Sequence, residues 1–112
     1  MPVSDLNFSD IIKDMTAAAK EVLTDHWKDV KPFAELQLKT FAQNVKLIGE
    51  LKLKGLINEE KAKLQLAIQR DSVRTVLIAF EGIGLVAAEN AINAAISVVR
   101  TAINKAIGWT LL

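Results

Sequence analysis

The feature that most constrains this chain is the proline-free run over residues 59–107. Apolar residues recur along it at spacings of three and four, the pattern of an amphipathic helix. Asn58 predicts an N-cap at its start, and Glu59 and Glu60 place negative charge in the first turn, where the helix dipole favours it. One helix over the whole run would be about 73 Å long, since each residue adds about 1.5 Å. The sequence therefore predicts an all-α protein with one unusually long helix.

The segment Gly82-Ile83-Gly84 is the one place where this helix could kink or break. Each glycine costs about 1 kcal/mol relative to alanine in a helix interior. A break here would leave four segments of about 22 residues each, the proportions of a four-helix bundle. The flanking residues, however, include no Asn, Asp, Ser or Pro to build a reversal or cap a new helix. We therefore expect a continuous or merely kinked helix over about 59–107, with Gly82 and Gly84 as the hinge.

Two shorter helices precede the long one. Asn7 can cap a first helix over about 8–30, which Pro32 is expected to end because proline lacks the backbone amide. A second helix over about 33–54 is expected to stop at Gly55, with Leu56 folding back on the last turn in a Schellman motif. We expect residues 1–112 to form a single domain, an antiparallel bundle of three helices.

The C-terminal half of the long helix is too apolar to be covered by two helices of about 33 Å each. A stripe of small residues there would let another helix approach closely, and we predict that it forms an oligomer interface: Gly84, Ala87, Ala91, Ala94, Val98 and Ala102. Polar residues in the same helix, Glu89, Asn93 and Arg100, are predicted to fix the alignment of the helices. A symmetric homodimer would complete the bundle. If the helix breaks, the chain can close its own four-helix bundle, and the case for a partner weakens.

Composition excludes several classes of protein. Hydrophobic residues make up 51% of the chain but aromatic residues only 5%, which favours helix packing over an aromatic-rich sheet. The formal net charge is +1, with no one-sided basic patch for nucleic acid. Residues 90–99 carry no charge, but this stretch is well short of the roughly 18 residues of a membrane span. The acidic start, without Lys or Arg, is atypical of a secretory signal, so we expect a cytoplasmic protein.

The sequence offers no catalytic or cofactor-binding constellation. Cysteine is absent and His26 is the only histidine, so neither a nucleophile–base pair nor a Glu-x-x-His metal motif can be assigned. His26 is expected to lie in the last turn of the first helix, where a positive charge suits the dipole. We therefore expect no enzyme activity, no cofactor and no metal site.

The favoured function is a non-enzymatic structural, scaffold or accessory protein that works by self-association, with another protein as a further possible partner. The first alternative is a peripheral protein that binds lipid at a membrane surface, suggested by the apolar C-terminal helix and Trp109. The second is a carboxylate metal-binding bundle.

Overall fold

The computed structural model describes residues 7–108, apart from the side chains at positions 101, 102, 105 and 107. Helix α1 spans Phe8–Leu23, a short 3-10 turn follows at Thr24–His26, and α2 spans Trp27–Leu53. Helix α3 spans Glu59–Ile78 and α4 spans Leu85–Ile107. No strand occurs within residues 7–108, and the predicted all-α class is confirmed.

The predicted caps are present where the sequence places them. The side-chain oxygen of Asn7 accepts a hydrogen bond from the Asp10 amide at 3.2 Å, and that of Asn58 accepts one from the Lys61 amide at 2.8 Å. Gly55 has a φ of +68°, and the Leu56 amide donates to the Leu51 carbonyl at 2.9 Å. This is the Schellman bond expected at the end of the second helix.

The predicted boundary between the first two helices, at Pro32, is wrong. The first helix ends at Leu23, not near residue 30, and Pro32 lies inside α2. Thr24 makes the turn, with a φ of +49°. Proline removes one helical hydrogen bond, but an unbroken α2 keeps Val30 and Ala34, at 0% and 2% exposure, on one buried face. The burial of apolar residues on both sides of Pro32 therefore outweighs the tendency of proline to end a helix.

The predicted continuous helix over 59–107 is also wrong, because α3 and α4 are separate helices. The chain leaves helix at Ala79 and re-enters it at Leu85, and Gly82 has a φ of +91°. The longest dimension of the molecule is 43 Å, well short of the length of such a helix. Within residues 7–108, four α-helices therefore pack together where three were expected.

The core lies between all four helices, and α4 contributes heavily to it. Helix α4 packs most extensively against α1, and also contacts α3 and α2. The expectation that one chain cannot cover this helix is wrong, because seven of its side chains are at most 3% exposed in the single chain: Ala88, Ala91, Ile92, Ala95, Ile96, Val99 and Ile103. The break supplies the explanation, since it folds α4 back between α1 and α3.

Candidate functional site

The small-residue stripe of α4 is partly buried within the single chain. Ala91 is 1% exposed, Ala87, Ala94 and Val98 are partly buried, and Gly84 is exposed. The side chain of Ala102 lies outside the described residues. Ala91 lines a small cavity together with Ala19 and Leu23 of α1, the helix against which α4 packs most extensively. Contact of the stripe with a second chain stays a prediction.

Two of the predicted register residues belong to an ion-pair cluster between α3 and α4. Glu89 accepts a hydrogen bond from Arg70 at 3.2 Å and a second from Arg74. Arg70 also donates to the side-chain oxygen of Asn93, and Arg74 donates to Asp71 at 2.9 Å. The side chains of Arg70, Arg74 and Glu89 are about one-third exposed. The cluster therefore ties α3 to α4 at the edge of the core.

The cluster perturbs the ionisation of two of its members. Hydrogen bonds from Arg74 and then from Arg70 lower the pKa of Glu89 below its ordinary value, against the opposing effect of desolvation. The hydrogen bond to Glu89 likewise raises the pKa of Arg74. Both groups therefore hold their charges more firmly than isolated side chains would. The sequence pointed to Glu89 and Asn93, but their arginine partners become apparent only once the chain is known to reverse.

Arg100, the third predicted register residue, lies apart from this cluster. It is exposed and lies at the rim of a cavity of about 200 Å³ between α2, α3 and α4. Lys63 and Arg70 complete a basic rim, and the cavity is otherwise lined by apolar residues: Phe41, Leu66, Ala67 and Ile96. Arg70 is engaged by Glu89 and Asn93, and Lys63 lies 3.8 Å from Glu59.

The hinge residues form the α3–α4 loop, residues 79–84, which packs against the α1–α2 turn. A Cβ atom built on Gly82 would lie 2.7 Å from Cε1 of His26, so the imidazole would have to move, and the φ of +91° itself favours glycine. Gly84 precedes α4 with no capping side-chain hydrogen bond. His26 belongs to the 3-10 turn and not to the last turn of a helix, and its contact with Gly82 had no signal in the sequence.

The end of the bundle that carries this loop exposes several large apolar side chains, next to the exposed Glu81. Ile78, Leu85 and Val86, which flank the loop, are 44%, 57% and 74% exposed. Phe33, near the start of α2, is also exposed, and its ring centroid lies 5.5 Å from that of Phe80 within the loop. We call this surface, made of Phe33, Ile78, Phe80, Leu85 and Val86, the apolar end.

The described part of the chain contains neither a cluster of metal-ligating residues nor a helix that could span a membrane. Within residues 7–108, no three His, Cys, Asp or Glu residues lie close enough together to hold a metal ion. None of the described helices is sufficiently long and apolar to cross a bilayer.

The fold and its surface define a helical bundle with a closed apolar core, a charged cluster between α3 and α4, and one apolar end. No protein-family model, curated protein or solved structure matches this chain.

Proposed function

We propose that this chain is a non-enzymatic helical protein that works by self-association, as a structural, scaffold or accessory component. The observation that supports the proposal is the apolar end. Single exposed hydrophobic residues are ordinary on protein surfaces, whereas a contiguous group is typical of an interaction site. Four large side chains here, those of Phe33, Ile78, Leu85 and Val86, are between 44% and 74% exposed.

A second copy of the chain is a suitable partner for this surface. The chain carries a formal net charge of only +1, so that two copies repel each other weakly. The charged cluster of Arg70, Arg74 and Glu89 lies one helical turn from the apolar end, and Glu81 of the loop is exposed. Two apolar ends in contact would remove the apolar side chains from water while these charges stay at the solvated rim of the contact.

The proposal is tested by the mass of the protein in solution. We expect light scattering to give a dimer or larger species that dissociates on dilution. Replacement of Val86 with glutamate should weaken it, because a charge would enter the contact, while negative charge in the first turn of α4 favours the helix itself. Leu64→Glu is the matched control, since Leu64 is 62% exposed on α3, about 21 Å along the helix from Ile78. A wild-type monomer at millimolar concentration would refute the proposal.

The alternative of a lipid-binding surface protein is favoured by one observation at the opposite end of the bundle. Leu53 and Leu56, around the α2–α3 turn, are 68% and 70% exposed, and Lys54 and Lys61 are exposed close to them in the sequence. Apolar residues next to lysines are suited to an anionic membrane surface. This function requires co-sedimentation with phosphatidylserine vesicles that Leu53→Ser weakens and Leu64→Ser does not. Absence of co-sedimentation would dispose of it.

A further inference from the structure

The buried residues of α3 and α4 keep one helical phase across the loop that separates them. Leu66, Leu77, Ala88 and Val99 recur at intervals of eleven residues, and all four are at most 3% exposed. Eleven residues make close to three turns of an α-helix, so residues at this interval share a face. The interval from Leu77 to Ala88 spans the whole loop. If the loop became helical, the core faces of α3 and α4 would therefore lie on the same side of one helix.

The helix ends that flank the loop lack the side-chain caps and charges that favour a helix boundary. Gly84 provides no side-chain cap for α4, α4 has no acidic residue in its first turn, and α3 has no basic residue in its last turn. Two backbone hydrogen bonds support the turn locally: the Phe80 amide donates to the Leu77 carbonyl and the Ile83 amide donates to the Phe80 carbonyl, both at 3.2 Å. Tertiary contacts add to them: the approach of Gly82 to His26, the contact of Phe33 with Phe80, and the burial of Ile83, which is 5% exposed. A short loop of this kind is a typical hinge for exchange of a helix between two chains.

We propose that two copies of this chain associate by exchanging α4, with residues 59–107 of each forming one continuous helix. This inference rests on the proposed self-association and states how the two chains pair. Each bundle would contain α1, α2 and α3 of one copy and α4 of the other. Every core contact of α4 is kept, because the exchanged helix is identical to the one it replaces. The hydrogen bonds from Arg70 and Arg74 to Glu89 form between the two chains.

The geometry of the exchanged dimer closes with two-fold symmetry. The two long helices run antiparallel side by side, as α3 and α4 do within one chain, and the two-fold axis crosses them at the hinge. Because the core faces of α3 and α4 share one side, both bundles lie on that side, end to end. Their apolar ends then face each other, and the exposed side chains of Ile78 and Leu85 come to lie near the junction. Val86 is nine residues from Leu77, about half a turn out of phase, so it lies on the opposite side of the continuous helix. The exchange therefore covers only part of the surface that the single chain leaves open.

The hinge glycines provide a way to shift the balance between the two forms. Gly82→Ala opposes the turned loop, since its φ is +91° and the new Cβ would contact His26, and it favours a continuous helix. We expect it to strengthen dimerisation by about tenfold or more, the change that follows from exchanging glycine for alanine in two helices. Gly84→Ala is the matched variant, with no atom within 4 Å of its Cβ and no positive φ. It adds helix propensity without straining the turn, so its effect should be smaller.

A distance within one chain distinguishes exchange from simple contact. The chain has no cysteine, so Ala67→Cys and Ser97→Cys, both at exposed positions, provide two unique sites for spin labels. In the turned chain the two sites lie on neighbouring antiparallel helices, whose axes are about 10 Å apart. In a continuous helix they are about 45 Å apart. The labelled chain is refolded with an excess of unlabelled chain at high concentration, and the monomer and dimer fractions are separated before measurement.

We expect the short distance in the monomer fraction and the long distance in the dimer fraction, with more dimer for Gly82→Ala. A dimer that keeps the short distance would overturn the exchange and leave the proposed self-association standing. A monomer for the wild type and for both glycine variants would overturn both. If circular dichroism shows that Gly82→Ala does not fold, the label distances in the wild type and in Gly84→Ala test the exchange in the same way.

Discussion

Replacement of Ala91 with leucine tests whether the small-residue stripe of α4 is closed inside a bundle. Ala91 is 1% exposed and borders a cavity of about 10 Å³ that it shares with Ala19 and Leu23 of α1. That volume is close to the minimum that holds one water molecule. The three additional carbon atoms of leucine do not fit, so the helices around the cavity, α1 among them, must move away from α4. Overpacking of this kind costs roughly 1–3 kcal/mol, which lowers the melting temperature of a domain of this size by roughly 5–20 °C.

Thermal and urea denaturation followed by circular dichroism measure this effect. Asn90→Leu is the matched control, since Asn90 is the neighbouring residue of the same helix and is exposed. We expect its free energy of unfolding to stay within about 0.5 kcal/mol of the wild type. Equal stability of the two leucine variants would refute the close packing of α1 against α4. Light scattering on the same samples shows whether Ala91→Leu also weakens the oligomer.

Two further predictions concern a cap and a charge. Asn58→Ala should lower the free energy of unfolding by about 1 kcal/mol, because it removes the acceptor for the Lys61 amide; an unchanged urea midpoint, with Asn90→Ala as control, would contradict the capping role. Glu89→Gln should destabilise the protein at pH 7 and progressively less in acid. The lowered pKa of Glu89 means that its contribution is complete above the unfolded carboxyl pKa, about 4.3, and is lost as the pH falls through the folded value. Equal destabilisation at pH 7 and pH 3 would contradict this account of the cluster.

The helix ends that could be predicted from the sequence are those encoded by residues next to them. Asn58 caps α3 through its own side chain, and Gly55 adopts the left-handed conformation that ends α2. Both signals act over three or four residues, so no knowledge of the tertiary fold is needed to interpret them. The start of α1 at Asn7 follows in the same way.

The two wrong helix boundaries, the end predicted at Pro32 and the continuous helix predicted over 59–107, share a physical cause. At both places tertiary contacts outweigh the local preference of the sequence. Pro32 predicts a helix end, but the burial of Trp27 and Val30 before it and Ala34 after it favours an unbroken α2. The loop after α3 carries no stop signal, yet His26 from another part of the chain fits against Gly82. Neither contact can be inferred from a local window of sequence.

The charged cluster between α3 and α4 could be predicted only in part, because half of it depends on the tertiary fold. The polar positions Glu89 and Asn93 stand out in an apolar helix, and they do contact another helix. Their partners, Arg70 and Arg74, lie fifteen to twenty-three residues earlier, a separation that only a reversal of the chain brings together. The apolar end depends on both corrections, because it joins the start of α2 to the α3–α4 loop.

The same periodicity that predicts one long helix also serves the folded bundle, because the core does not depend on which chain supplies α4. The equilibrium between the turned monomer and the proposed exchanged dimer therefore depends on the conformation of the α3–α4 loop and on the protein concentration. A loop of six residues, 79–84, holds α4 beside its own α1 at an effective concentration in the millimolar range for a short linker. When the protein concentration is below this effective concentration, the turned monomer is favoured unless its loop is strained. Gly82 is the residue that keeps this strain low, because any side chain there would meet His26. In the proposed exchange, the balance between the self-contained bundle and the dimer is therefore sensitive to a Cβ atom at position 82.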